Sequence, residues 1–340
     1  MNANKLPVAA ALCVAFLFGL AAAASAVPQV SRDINTYVLF AYDQLTWKGG
    51  NLATDSGYIV GGNIGVNYPL SQAPSNPTSF SMNFGTTYRG IMSPEYQAVA
   101  DSVRADDAQD IFYYLFANST NASFGATVNN PNPDTLNYPD GNYPFTTPII
   151  ATASLPVLPF TPSNTRMASE PDLTVAQDAV VSLTPGDRRD VRFNDGAVVT
   201  LTDGLYNMRS LSMGVGVTVN VTDNTTLQID EDWFLNNNLS FGLGTNSGAR
   251  VYIGAYGINV NTTRVTTFSK NNEIHAQYFA PTGWLDLGGG NELYGRYWAQ
   301  RITGDPNNNV YFEVVPEPSG AIALIGGLGA LGSLLIRKRR

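Results

Sequence analysis

His275, the only histidine of the chain, and the acidic triplet Asp230-Glu231-Asp232 are where residue types first suggest chemistry. A single histidine rules out a multi-histidine zinc site, and no Gly-x-Ser-x-Gly elbow supplies a nucleophile. In an alternating strand a lone histidine reads as a rim or surface residue. Two carboxylates can cleave a glycosidic bond as acid and base, but neighbours along an extended strand point to opposite faces, so the triplet reads as a turn. Eliminative cleavage of a polysaccharide wants a basic residue beside calcium, and Arg188, Arg189, Arg192 and Arg209 answer to that only by type. The expectation is a protein that is not an enzyme.

Hard oxygen ligands are the one kind of metal site open to an acidic chain with a single cysteine. Residues 106–110, 230–233 and 304–309 hold such ligands, but none keeps the EF-hand or glycine-rich nonapeptide spacing. They read as turns, and no cofactor is expected, with calcium left open. The aromatic set Tyr278, Phe279, Trp284, Tyr294, Tyr297 and Trp298 admits two readings. One is a stacking face for sugar rings, for which Tyr278, Trp284, Tyr297 and Trp298 are the candidates; the other is packing between neighbouring strands. Thr200, Thr202, Thr218 and Thr222 hint at a flat threonine array of the kind ice binding demands, without sustaining it.

The elements that must carry these residues are mostly strands. Gly, Asn and Thr are abundant and charge is sparse, a mixture that suits short strands and many turns. From Leu173 to Val314 strand and turn alternate without interruption, and Ile-His-Ala-Gln-Tyr-Phe-Ala-Pro from Ile274 matches Leu-Tyr-Gly-Arg-Tyr-Trp-Ala-Gln from Leu293. Earlier β runs recur at similar intervals, at residues 198–201, 217–221, 239–241 and 251–253. A short period of strands and turns predicts a mainly β fold, a single-stranded parallel β-helix whose coils stack like residue on like. An antiparallel sandwich is the competing architecture. Residues 93–117, opened by Ser93 as N-cap and Pro94 in the first turn, predict one long amphipathic helix packed alongside. Residues 131–171, rich in proline, read as an extended excursion over the body, with Leu155, Val157, Leu158 and Phe160 to bury. The helix and this excursion together make an insertion at about 70–172.

The two ends predict an exported protein. Lys5, an apolar stretch from Val8 to Ala24 and the Ala24-Ser25-Ala26 pattern read as a signal peptide over 1–26, with cleavage after Ala26 by signal peptidase. Cys13 lies inside it. Residues 320–336 carry no charge; as a helix they reach about 25 Å, near the lower limit for crossing a bilayer. Arg337, Lys338, Arg339 and Arg340 follow at once and favour the cytoplasmic side. Without the leader and the tail, which carry five basic residues and one acidic one, the formal charge moves from −8 to −12, and Lys48 and Lys270 are the only lysines of the body 27–314. Nucleic acid is thus not an expected partner.

Pro316-Glu317-Pro318, the apolar span and the basic end together resemble the PEP-CTERM sorting signal of Gram-negative bacteria, also known as the ice-binding protein C-terminal domain. The resemblance covers residues 315–340 and implies recognition by an exosortase that cuts near Pro-Glu-Pro. It further implies a protein held briefly by a transmembrane helix and then passed to the cell surface or the extracellular exopolysaccharide matrix. The order of elements from 34 to 314 is also similar to ice-binding and adhesive β-helix folds, in which a helix lies along a solenoid made of discontinuous pieces. The function expected is a structural or adhesive surface protein, with polysaccharide as its partner. The alternatives are an ice-binding protein and a polysaccharide-active β-helix enzyme, a lyase or a glycosidase.

Overall fold

The structure, a computed structural model, describes residues 33–48, 58–60, 62–67, 80–83, 87–89, 97–105, 111–112, 114–120, 127–128, 155–163, 165–222, 224–243, 249–258 and 263–311, with side chains for all but 48, 58–60 and 80–128. The expected leader with Ala24 and Ala26, and the tail with Pro316, Glu317, Pro318, the span 320–336 and Arg337, Lys338, Arg339 and Arg340, lie outside the described residues. Among the described residues no helix is long and apolar enough to cross a membrane.

After a short 3-10 turn (Ile34–Thr36) come β1 (Tyr37–Lys48), β2 (Tyr58–Val60), β3 (Asn63–Val66), β4 (Phe80–Asn83), β5 (Thr87–Arg89), β6 (Gln97–Ala105), β7 (Ile111–Phe112), β8 (Tyr114–Thr120) and β9 (Thr127–Val128). The second series is β10 (Leu173–Val175), β11 (Val180–Leu183), β12 (Gly186–Phe193), β13 (Val198–Leu201), β14 (Gly204–Met213), β15 (Thr218–Val221), β16 (Thr225–Ile229) and β17 (Trp233–Leu235). It continues with β18 (Ser240–Leu243), β19 (Ala249–Ile253), β20 (Thr266–Phe268), β21 (Glu273–Leu287), β22 (Glu292–Gly304) and β23 (Asn309–Tyr311). Every ladder between them is parallel, which sets the sandwich aside and makes the fold a β-solenoid. The repeat read from the sequence is a pair of adjoining rungs: Ile274 lies opposite Leu293, Tyr278 opposite Tyr297 and Phe279 opposite Trp298.

Alternation along each strand fills the interior. Val199, Leu201, Val219, Val221, Phe241, Ile274, Leu293 and Val310 point inward and are almost fully buried. Each such side chain contributes roughly 1.5–3 kcal/mol. The larger interior is filled by rings: Trp233 meets Phe241 and Phe268 edge-on at 5.0 Å and stacks toward Tyr278, which stacks toward Tyr297.

One corner recurs on each coil. Asp178, Gly196, Gly216, Asn238, Asn271, Gly290 and Asn307 all have φ between 54° and 78°, the left-handed region that only Gly, Asn and Asp enter readily. From Gly196 to Gly290 their amides donate to the carbonyls of Val215, Asn237, Lys270, Gly289 and Pro306 on the next coil, so the turns themselves stack.

The described residues of the expected helix are strands instead: β6, β7 and β8 take 97–105, 111–112 and 114–120. Ala98 and Val99 pair with Ile64 and Gly65 of β3, Val103 pairs with Phe80 of β4, and β8 lies on β6. Two causes outweigh the helical spacing. Ile111, Phe112, Tyr114 and Phe116 are β-branched or aromatic, types that lose rotamer freedom in a helix and suit a sheet. The rung of β3 and β4 also has an edge that a further rung satisfies with backbone hydrogen bonds, and this tertiary demand overrides local periodicity.

The order of rungs is not the order of the chain. β22 pairs with β21 on one side and with β1 on the other, so β1 to β9 continue the stack built by β10 to β23. Tyr294 faces Tyr311 while Tyr297 faces Leu39, so the two ends of the described chain share one rung. In place of the long helix, an extended segment lies along the outside. Leu155 and Leu158 pack, with Tyr42 and Tyr252, against an outer cluster of Ile34, Tyr37, Phe40, Phe279 and Trp298, while Val157 is exposed. Arg166 anchors its end: Nε lies 2.9 Å from Oδ2 of the fully buried Asp230, Nη1 donates to Asn207, and the guanidinium covers the Phe160 ring.

Candidate ligand-binding face

Three rungs carry one pattern: Asn272-Glu273-Ile274-His275, Asn291-Glu292-Leu293-Tyr294 and Asn308-Asn309-Val310-Tyr311. The first asparagine of each points inward at the corner. Asn291 Oδ1 accepts from the Asn272 amide and Asn308 Oδ1 from the Asn291 amide, while Asn291 Nδ2 and Asn308 Nδ2 donate to the carbonyls of Gly288 and Asp305. The aliphatic residue enters the core. The second and fourth residues face outward and form two parallel columns.

The fourth-position column is a ring stack. His275 and Tyr294 lie 4.3 Å apart at 9°, and Tyr294 and Tyr311 lie 4.7 Å apart at 15°. Each ring also holds the carboxylate beside it: His275 Nε2 is 3.0 Å from Glu273 Oε1, and the Tyr294 hydroxyl donates to Glu292 Oε2 at 3.1 Å. Burial, then the Glu292 carboxylate, pushes the Tyr294 phenol above its ordinary value, so it stays protonated and keeps donating. Beside the carboxylates a cleft of about 380 Å³ is lined by Asn238, Ser240, Asn271, Asn272, Glu273 and Glu292. Asn271 Nδ2 donates to Asn238 Oδ1 across its lower wall.

The residues singled out in the sequence go elsewhere. Tyr278 and Tyr297 are core residues, and their hydroxyls donate to Thr266 Oγ1 and the Ile274 carbonyl at 2.8 Å. Trp298 is 8% exposed and donates from Nε1 to the Tyr37 carbonyl. These three offer no free face to a sugar, because on their rungs the inward and strap-covered positions bury most apolar area. Trp284 is half-buried, but Arg264, paired with Asp286 at 2.7 Å, lies over its ring. Asp230 is the strap anchor, not half of a catalytic pair; burial raises the carboxyls of Glu231 and Asp232 above their usual range.

The four arginines are likewise spread out. Arg189 pairs with Asp172 and Arg209 with Asp190, rung against rung, Arg188 donates to the Asp187 carbonyl, and Arg192 is exposed. Among the described residues no group of three His, Cys, Asp or Glu is placed to hold a metal. Residues 304–309 span the turn between β22 and β23, and 106–110 lie outside the described residues. Thr202 and Thr222 donate their hydroxyls to Leu183 and Leu201 carbonyls, and the columns through Thr200 and Thr218 continue as Ser182, Asn220, Val198 and Ser240. Glu273, Glu292 and Tyr311 are not legible as one face in the sequence, because the third copy, Asn308-Asn309-Val310-Tyr311, comes at a shorter interval than the first two.

No family model matches the chain, and comparison with curated proteins and with solved structures gives no match either.

Proposed function

We propose that this is an exported bacterial surface or matrix protein, structural or adhesive, sorted by an exosortase through Pro316-Glu317-Pro318 and working through an outer face of the solenoid. The single observation behind the adhesive part is the outward double column, in which stacked rings repeat in register over three rungs and carboxylates over two of them. A stack of parallel rungs holds such columns rigid, so repeated groups meet a repeated polymer without first being ordered. The sorting part rests on the three-part tail, whose prolines favour an extended segment that a protease can reach. Fractionating cells with and without the exosortase, and weighing the product, tests it. With the enzyme, the chain is expected outside the inner membrane without its leader and without the residues beyond Pro-Glu-Pro; an intact C-terminus on a cytoplasmic protein would overturn the reading.

A further inference from the structure

Among the described residues β10 and β11, at one end of the stack, pair on one side only, with β12 and β13. The amides of Val198 and Thr202 donate to the carbonyls of Ala179 and Leu183, so by parallel alternation Val180 and Ser182 turn their backbone N–H and C=O away from the stack. Natural edges are blocked by charge, proline or a covering segment. Neither β10 nor β11 holds a charged residue or a proline, and residues 179–184 are uncharged throughout. Beneath this edge Val181 and Leu183 are only half-buried, and a cavity of about 20 Å³ lies among Leu173, Leu183, Phe193, Leu201 and Met208. The β12 side of the same end differs, because there Arg188 stands in the register of the buried Met208 and brings an inward charge.

The described residues that border the remaining chain lie on other rungs. Asp33 and Tyr311 sit at the joint in mid-stack, Val128 on the last rung at the far end and Leu155 on the outer cluster, and the breaks within 155–311 are five residues or fewer. The shape that fits this edge is the edge itself. We infer that a second copy of this chain docks here, β11 against β11, antiparallel about a two-fold axis at Val181. Val180 then exchanges both backbone hydrogen bonds with Ser182 of the other copy, and Ser182 does the same with Val180 of that copy. Val181 meets its own equivalent, and Leu183 meets Ala179, over the half-covered core, while Val180, 79% exposed, gains apolar cover. Such a contact is isologous and closes at two copies, so two solenoids join end to end.

Disulfide trapping in the full-length chain tests this. With Cys13→Ser as background, Val181→Cys puts two sulfurs on a directly opposed pair whose Cα atoms stand about 4.5 Å apart, within the span of a disulfide. Mild oxidation is expected to turn Val181→Cys into a disulfide dimer and to leave Val180→Cys, more exposed but offset by two residues from its equivalent, largely monomeric. Ser182→Pro removes an edge donor and no described ladder bond, so in the Val181→Cys chain it should abolish the dimer while the circular dichroism stays that of the parent. The inference falls if Val180→Cys crosslinks as readily as Val181→Cys, the mark of chance collision or of association through another surface. It falls too if Val181→Cys stays monomeric, as it would under a covering segment of its own chain or in a head-to-tail contact, or if a folded Ser182→Pro chain crosslinks like its parent.

Discussion

At the scale of the residue, the buried pair of Arg166 and Asp230 carries the attachment of the outer segment. Asp230 is wholly inside and its carboxylate takes two contacts from Arg166 Nε and one from the Ser163 amide. Removing one member of a buried pair strands the other charge, at a cost of about 3–5 kcal/mol. Arg166→Met is therefore expected to lower stability by about 3 kcal/mol in a urea titration, and Arg166→Met with Asp230→Leu to recover most of it. A loss below about 1 kcal/mol for the single change would mean that the segment is held by Leu155 and Leu158 instead. Sequence could not show this pair. The residues stand 64 positions apart, and the partner of a lone arginine in a proline-rich stretch has no local signature.

At the scale of the element, the corner column decides how the coils close. Gly216 has open space where a Cβ would stand, whereas at Gly290 a Cβ would come within 2.4 Å of Asn271 Oδ1. Gly216→Ala is thus expected to cost about 1–2 kcal/mol for the left-handed backbone alone. Gly290→Ala should cost somewhat more, because the Asn271 side chain must also turn away and give up its hydrogen bond to Asn238. Equal midpoint losses in thermal melts would refute the stacked-corner account.

This column is also where the sequence was most readable. Gly, Asn and Asp fall at the corners from Asp178 to Asn307, and apolar residues alternate between them. Which rings face out was not readable. Tyr294 and Tyr297 sit on the same strand, one stacked with His275 and Tyr311 outside and one buried. Alternation does separate these two, Tyr294 outward and Tyr297 inward, but it also puts Trp298 outward, where the outer segment covers it. Residues 97–120 misled for a different reason: spacing every three or four positions and alternation every two overlap in Ala- and Val-rich text, and the neighbouring rung decides.

At the scale of the whole molecule, the stack is wound from two pieces in reversed order. Nothing local marks that β1 joins β22, since contacts such as Trp298 Nε1 to the Tyr37 carbonyl span 261 residues. The joint is nonetheless close to continuous, because where one rung runs from Tyr294 to Tyr297 the next passes from Tyr311 to Leu39. A circular permutant joining Tyr311 to Asp33 by a short linker, with new ends between Val128 and Leu155, should fold with the same strand content. Its cooperative melt should fall within a few degrees of the parent's. Loss of cooperativity would mean that the outer segment, and not the rungs, holds the two pieces together.

That joint also fixes where a tether would pull. Tyr311, the last described residue, lies on the flank of the stack, with the rungs of β10 to β22 on one side and those of β2 to β9 on the other. A rod moored at its flank lies lengthwise against whatever holds it, with both tips free.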